Sequence, residues 1–219
     1  MNRDEFCRLH WSYYLVLEKD FLDTERYISF DFGDNYMYGS QGVTDVANSN
    51  TFSNEFVKQY QAICSEVDVI LKSICKELGN NNADTMPAYT DEVLRKWNNL
   101  PNQKVKLNTI ELQPFQNWSP SPTYKSPDWW RPYNGVKHER LENFRKANLK
   151  NVANALAGLY VLELYLIKFI GDRDHDMDVP NDISKLFEII DFETIHTVVG
   201  RDSYLITTQE INEMFDNLE

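Results

Sequence analysis

Cysteine is scarce: three among 219 residues, at positions 7, 64 and 75, with no CxxC pair. That spacing supplies neither a thiolate metal knuckle nor a disulfide framework, and it suits a reducing compartment. Glycine is also sparse at eight residues. None builds a phosphate-cradling loop of the P-loop or dinucleotide type, or a Gly-x-Ser-x-Gly nucleophile elbow. Nucleotide hydrolases of those folds are disfavoured. Positive charge is in deficit, with 22 Lys and Arg against 34 Asp and Glu for a net charge of −12. The averaged field repels phosphates, so any nucleic-acid contact must come from a local basic patch. The opening Met1-Asn2-Arg3-Asp4-Glu5 places acids where an export signal needs a cationic start and an apolar run. A cytoplasmic location is therefore expected. The most apolar stretch, residues 152–170, is interrupted by Asn154, Glu163 and Lys168. It reads as a buried core or dimer-interface helix and not as a membrane span.

What is present is core material: 42% apolar and 13% aromatic residues, too much for a disordered acidic chain. Phe6, Leu9, Tyr13, Leu17 and Phe21 recur at three- and four-residue steps, predicting a first helix from Asp4 to Tyr27 with those residues on one face. Ser29 to Asn50, rich in Gly, Asn, Asp and Ser, reads as a surface excursion. Ser53 can cap a second helix whose apolar period runs from Phe56 to Leu78, with Gly79 as its stop. A short helix is expected from Thr90 to Trp97.

Residues 98–127 change character. Pro114, Pro120, Pro122 and Pro127 forbid a helix, and Lys104-Val105-Lys106-Leu107 alternates like an edge strand, so a Pro-rich structured loop with a short β-hairpin is expected. A long helix is then predicted from Lys137 to Ile170, closed by Gly171, with small residues such as Ala155 and Gly158 allowing close approach. The tail from Asp172 holds 13 acids and 3 basic residues. It predicts a helix from Asp182 to Ile190, a strand from Tyr204 to Thr207 and a last helix from Thr208. The expected architecture is mainly α: a helical domain over residues 1–171 with long antiparallel helices, containing the loop 98–127, and an acidic C-terminal extension over 172–219.

The candidate chemistry concentrates in Trp129-Trp130-Arg131-Pro132-Tyr133-Asn134-Gly135-Val136-Lys137-His138-Glu139-Arg140. From Lys125 to Lys150 seven Lys or Arg face three Asp or Glu, so this is also the local basic patch. An arginine there offers a fixed cation for phosphoryl oxygens, and a histidine offers an acid or base that titrates near neutrality.

These residues resemble the HEPN superfamily of small helical proteins, whose members often carry an Arg, four to six residues, then a His; here that is Arg131-x6-His138. Ser65-Glu66-Val67-Asp68 followed by Trp129-Trp130, Tyr133-Asn134, Val136-Lys137-His138 and Arg140 is also similar to an uncharacterised bacterial group placed near HEPN. The resemblance runs in order from Phe6 to Ile170, with Asn35 to Asn50 as an insertion. The same spacing occurs once more at Arg3-x6-His10.

The resemblance implies a HEPN-like bundle and a homodimeric, metal-independent endoribonuclease acting on single-stranded RNA, with no cofactor. His138 would move the proton and Arg131 would neutralise charge on the phosphorane, with Asn134 orienting the phosphate. Lys137 and Arg140 would hold the flanking backbone, and Trp130 or Tyr133 would stack on a base. Read from the residues alone, Glu66 and Asp68 on the second helix are either a solvated face or, within reach of Arg131 or His138, supporting acids that orient the latter. The resemblance further implies a defence or toxin-like role with an antitoxin or other protein partner. Many active members place a polar residue after the Arg, where this chain has Pro132.

Taken singly, His138 reads equally as a structural histidine, Arg131 as a surface ion-pair partner and the double tryptophan as core. A non-catalytic dimeric scaffold, or a nucleotide- or protein-binding module, is the alternative reading of the whole. Metal chemistry ranks below both. His138-Glu139-x-x-Glu142 lacks the second His of the zinc signature, and the alternating Asp172, Asp174, Asp176 and Asp178 lack the Gly and the twelfth-position acid of a calcium loop.

Overall fold

Helix α3 (Asn54–Glu77) starts where the sequence signals it: the Ser53 hydroxyl accepts the Phe56 N–H at 3.0 Å, and Gly79 closes the end at φ +93°. The computed structural model describes residues 1–32, 48–198 and 204–216. The expected excursion from Ser29 to Asn50, and with it the Asn35 to Asn50 insertion, lies largely outside the described residues. The other helices are α1 (Arg3–Phe6), α2 (Ser12–Asp23), α4 (Met86–Lys96), α5 (Trp130–His138), α6 (Arg140–Asn143), α7 (Leu149–Asp174) and α8 (Thr208–Asp216). Mainly α is therefore the fold class.

The two longest helices, α3 and α7, form the centre and run parallel. Leu149 N–H donates to Thr51 O at 2.9 Å where both begin, and Arg173 pairs with Glu77 where both end. The antiparallel arrangement expected for the long helices is thus replaced, because the chain between them returns to its starting end through α4, the loop and α5. It is α1 and α2 that run against α3: the Met1 amino group meets Glu77 at 2.8 Å, and Gln59 Nε2 donates to Asp20 O at 2.9 Å.

The first helical segment differs from its simple period. Residues Cys7–Trp11 form a π-helical turn between α1 and α2. The wider turn shifts the register, so Trp11, Tyr14, Leu17 and Phe21 are buried while Leu9 and Tyr13, expected inside, are exposed together with Val16.

The predicted helix from Lys137 to Ile170 is also divided. Helix α5 ends at Glu139 (φ −134°, ψ 58°), α6 and a 3-10 turn follow, and α7 begins afresh at an Asn148 cap whose Oδ1 accepts Asn151 N–H at 3.0 Å. Leu141, assigned by its spacing to the buried face, is 98% exposed. Helix α7 passes Gly171 and ends at His175 in the left-handed region. It is long and apolar enough to cross a membrane, yet 78% of that window is buried within the chain, as in a core helix.

Strands β1 (Val105–Leu107) and β2 (Ile110–Leu112) form the hairpin expected in the Pro-rich loop, turning at Asn108 with φ 54°. Strand β3 (Phe187–Ile189) joins β1 antiparallel and stands where a helix from Asp182 to Ile190 was predicted. Its partners decide the outcome, because tertiary pairing overrides a weak local period. Residues 178–189, assigned by sequence to the acidic extension, are bound to the first helices. Arg3 donates to Val179 O at 2.8 Å, Trp11 Nε1 to Asp182 O at 2.8 Å, and buried Glu18 accepts Ser184 Oγ and the Lys185 and Leu186 amides. Beyond them β4 (Ile195–Val198) pairs with β5 (Tyr204–Thr207), the expected strand, before α8.

Candidate functional site

Helix α5 is fixed at both ends by its neighbours. Before it, the Trp129 ring is buried, its Nε1 donates to Pro114 O at 2.8 Å, and its carbonyl accepts the Tyr60 hydroxyl. Gly158 of α7 makes room for that ring: a Cβ there would lie 2.8 Å from Trp129 Cζ2. Pro132 sits in the first helical turn, where backbone N–H groups have no helical acceptor, so the missing donor costs little. At the other end Glu139 N–H donates to Gly135 O at 2.8 Å and Asn143 Nδ2 donates to Glu139 O at 2.9 Å. Gly135 lets Asn143 approach, since a Cβ would meet its Cγ at 2.9 Å.

Arg131 and His138 therefore lie on one rigid helix. Seven residues of rotation return to within about 20° of the starting direction, so both share a face roughly 10 Å apart along the axis, with Asn134 between them. Arg131 and His138 are exposed and Asn134 is half-buried. None of the three side chains has a hydrogen-bond or ion-pair partner among the described residues.

The same is true of the surrounding cations. Lys125, Arg131, Lys137, Arg140, Arg145, Lys146 and Lys150 make no ion pair among the described residues, whereas eight of the lysines and arginines elsewhere do, Lys58 and Arg173 among them. Lys137 lies over the Tyr133 ring at 5.7 Å and Arg145 over Phe52 at 5.4 Å. In a chain of net charge −12 this stretch gathers seven such cations within 26 residues.

Tyr133, expected to stack on a base, is buried instead. Its ring meets Trp130 at 5.1 Å and Tyr60 edge-on at 5.8 Å, and burial pushes its hydroxyl up to about 12, aided by Cys64 and Asp68. Its role is to seat α5 on α3. Trp130 is half-buried and keeps part of its ring accessible.

Neither supporting acid meets the arginine or the histidine. Glu66 is buried and bonded to His10, Oε1 to Nδ1 at 3.2 Å. Asp68, half-buried, hydrogen-bonds Tyr89, whose hydroxyl is pushed up to about 12 by burial first and by Asp68 second.

The His10–Glu66 pair escapes sequence reading because it joins residues 56 apart, and so does its neighbour Glu163. Glu163 is fully buried in α7, neither carboxyl oxygen has a partner among the described residues, and burial followed by the charge of Glu66 holds it far above the usual carboxylate range. The signal available beforehand was a single acid inside an apolar helical run. Among the described residues no three His, Cys, Asp or Glu side chains are placed to hold a metal.

Comparison of the chain with protein-family models, with curated proteins and with solved structures finds no match.

Proposed function

We propose that the chain is a HEPN-like, metal-independent endoribonuclease for single-stranded RNA, working as a homodimer through the exposed face of α5. The observation that carries this reading is the alignment of Arg131, Asn134 and His138 on one face of α5, with both charged groups exposed and unpaired. In the reaction the ribose 2′-OH attacks the adjacent phosphorus, and His138 takes the hydroxyl proton or protonates the leaving 5′-oxygen. Arg131 stabilises the charge that builds on the equatorial oxygens. Asn134 orients the phosphate, and Lys137 and Arg140 hold the strand on either side. A second copy of α5 crossing the first would bring an Arg and a His from different chains to one phosphate, shortening the roughly 10 Å gap within one helix. A defence or toxin-like role with a protein partner follows from the same resemblance.

The non-catalytic alternative also has an observation in its favour: among the described residues no acid pairs with His138, and Glu66 is taken by His10. A binding module needs no such orientation. The two readings separate on incubation of the purified protein with mixed single-stranded RNA in EDTA, beside His138→Ala. Cleavage by the wild type alone, leaving 2′,3′-cyclic phosphate ends, establishes transesterification at this site. RNA retained without cleavage establishes the binding module.

A further inference from the structure

A cleft of about 520 Å³ opens at the far end of the bundle, between the C-terminal turns of α4 and α7 and the loop carrying Phe192. That volume lies within the roughly 300–1,000 Å³ typical of small-molecule sites. Its wall is aromatic. Trp97 meets Tyr165 edge-on at 5.3 Å and Phe169 at 6.2 Å, and Tyr165 meets Phe192 at 5.1 Å. Tyr165 is anchored by its hydroxyl, which donates to Gln103 Oε1 at 3.1 Å.

Cations stand on this wall. Lys96 Nζ lies 5.2 Å from the centre of the Phe169 ring and has no carboxylate partner among the described residues. Lys168 Nζ lies 5.9 Å from the centre of Phe192 and gives one bond, 2.9 Å long, to buried Asp178. An ammonium carries three donors, so both lysines retain protons for an incoming anion. Exposed Asp172 and Arg173, the latter already paired with Glu77 and Asp174, complete the rim. A second groove of about 350 Å³ continues past Lys96 and Phe169 to Arg95.

We infer that this cleft binds a nucleoside phosphate, with the base on the aromatic wall, the phosphate on Lys96 and Lys168, and the ribose hydroxyls on Asp172. Each part answers one piece of the ligand. Aromatic faces stack on any base, ammonium groups neutralise a phosphate as point charges, and a carboxylate accepts from ribose hydroxyls. An inorganic anion would leave the rings unused, and an uncharged aromatic would leave the lysines unused. The site is separate from α5. Phe169 lies eleven residues beyond Gly158, the residue under Trp129, or about 16 Å along α7. The inference does not rest on the ribonuclease reading.

Titration calorimetry of the full chain with AMP, adenosine and inorganic phosphate tests it. The expected result is saturable AMP binding, weaker adenosine and phosphate binding, and a loss of at least about tenfold for AMP in Lys96→Glu and in Phe192→Ala. Lys96 is exposed, so Lys96→Glu keeps the thermal midpoint of the wild type, and Arg131→Ala keeps AMP affinity. The inference is overturned by any of four results: no AMP binding, phosphate binding as tightly as AMP, AMP affinity unmoved by Lys96→Glu, or AMP affinity lost in Arg131→Ala.

Discussion

Glu66 places its carboxylate 3.2 Å from Nδ1 of His10, so the acid expected to serve the α5 histidine instead joins α3 to the π-helical turn. Removing one partner of a buried pair strands the other. His10→Ala is therefore expected to destabilise the fold by about 1–3 kcal/mol, the cost of leaving a buried polar group unsatisfied. Urea denaturation measures this. The NMR titration of His138 should be the same in Glu66→Gln as in the wild type, and a displaced His138 titration would restore Glu66 to the site.

Glu163 is the neighbouring liability, a fully buried acid without a hydrogen-bond partner among the described residues. Its raised folded-state pKa means that the native state keeps a proton the unfolded chain releases. The stabilisation this contributes is complete below the unfolded value of about 4.3 and is lost as pH rises toward the folded value. Glu66 and His10 lie nearby, so the comparison must be with a variant differing only at this position. Glu163→Gln should lose that part of the decline in thermal midpoint with rising pH. Glu163→Met, close in volume and apolar, should raise stability at neutral pH by about 1–3 kcal/mol, the usual cost of an unpaired buried polar group. A midpoint that falls in Glu163→Met would show the carboxyl to be partnered.

Gly158 and Trp129 test how α5 is seated. A Cβ at 158 would stand 2.8 Å from Trp129 Cζ2, and that ring cannot retreat because its Nε1 is bonded to Pro114 O and its carbonyl to the Tyr60 hydroxyl. Gly158→Ala should cost about 1–3 kcal/mol as overpacking does. It should also weaken RNA binding, although residue 158 is buried and far from solvent. Equal stability of Gly158→Ala and wild type by chemical denaturation would show the Trp129 anchor to be loose.

How much of this was legible in the sequence depends on the range of the interaction. Helix α3 was readable to within a residue or two at each end, because Ser53, an apolar period and Gly79 are all local signals. The hairpin at Asn108 was readable for the same reason. What failed was long-range or subtle. The π turn at Cys7–Trp11 leaves no mark in an apolar period, the parallel course of α3 and α7 is set by the route between them, and β3 exists through its pairing with β1. At the candidate site, Arg131, Asn134 and His138 share a face only because α5 begins at Trp130, seven residues before the helix start read from the sequence at Lys137. The burial of Tyr133 and the diversion of Glu66 depend on Tyr60 and His10, which lie far away in the chain.

The unpaired cations around α5 supply the last prediction, on binding rather than chemistry. Each phosphate neutralised on a single strand contributes about 0.7 to the slope of log affinity against log salt concentration. Arg131 and Arg140 are exposed and free of carboxylate partners among the described residues, so each Ala substitution should lower that slope by about 0.7 and leave thermal stability unchanged. Arg173→Ala, at the opposite end of α7 and already bound to Glu77 and Asp174, should leave the slope untouched. Fluorescence anisotropy with a labelled single-stranded RNA, in EDTA and on the His138→Ala background so that the probe survives, gives the three slopes. Equal slopes in all variants would place RNA elsewhere, because a contact made by Arg131 or Arg140 with a phosphate must release counterions when it forms.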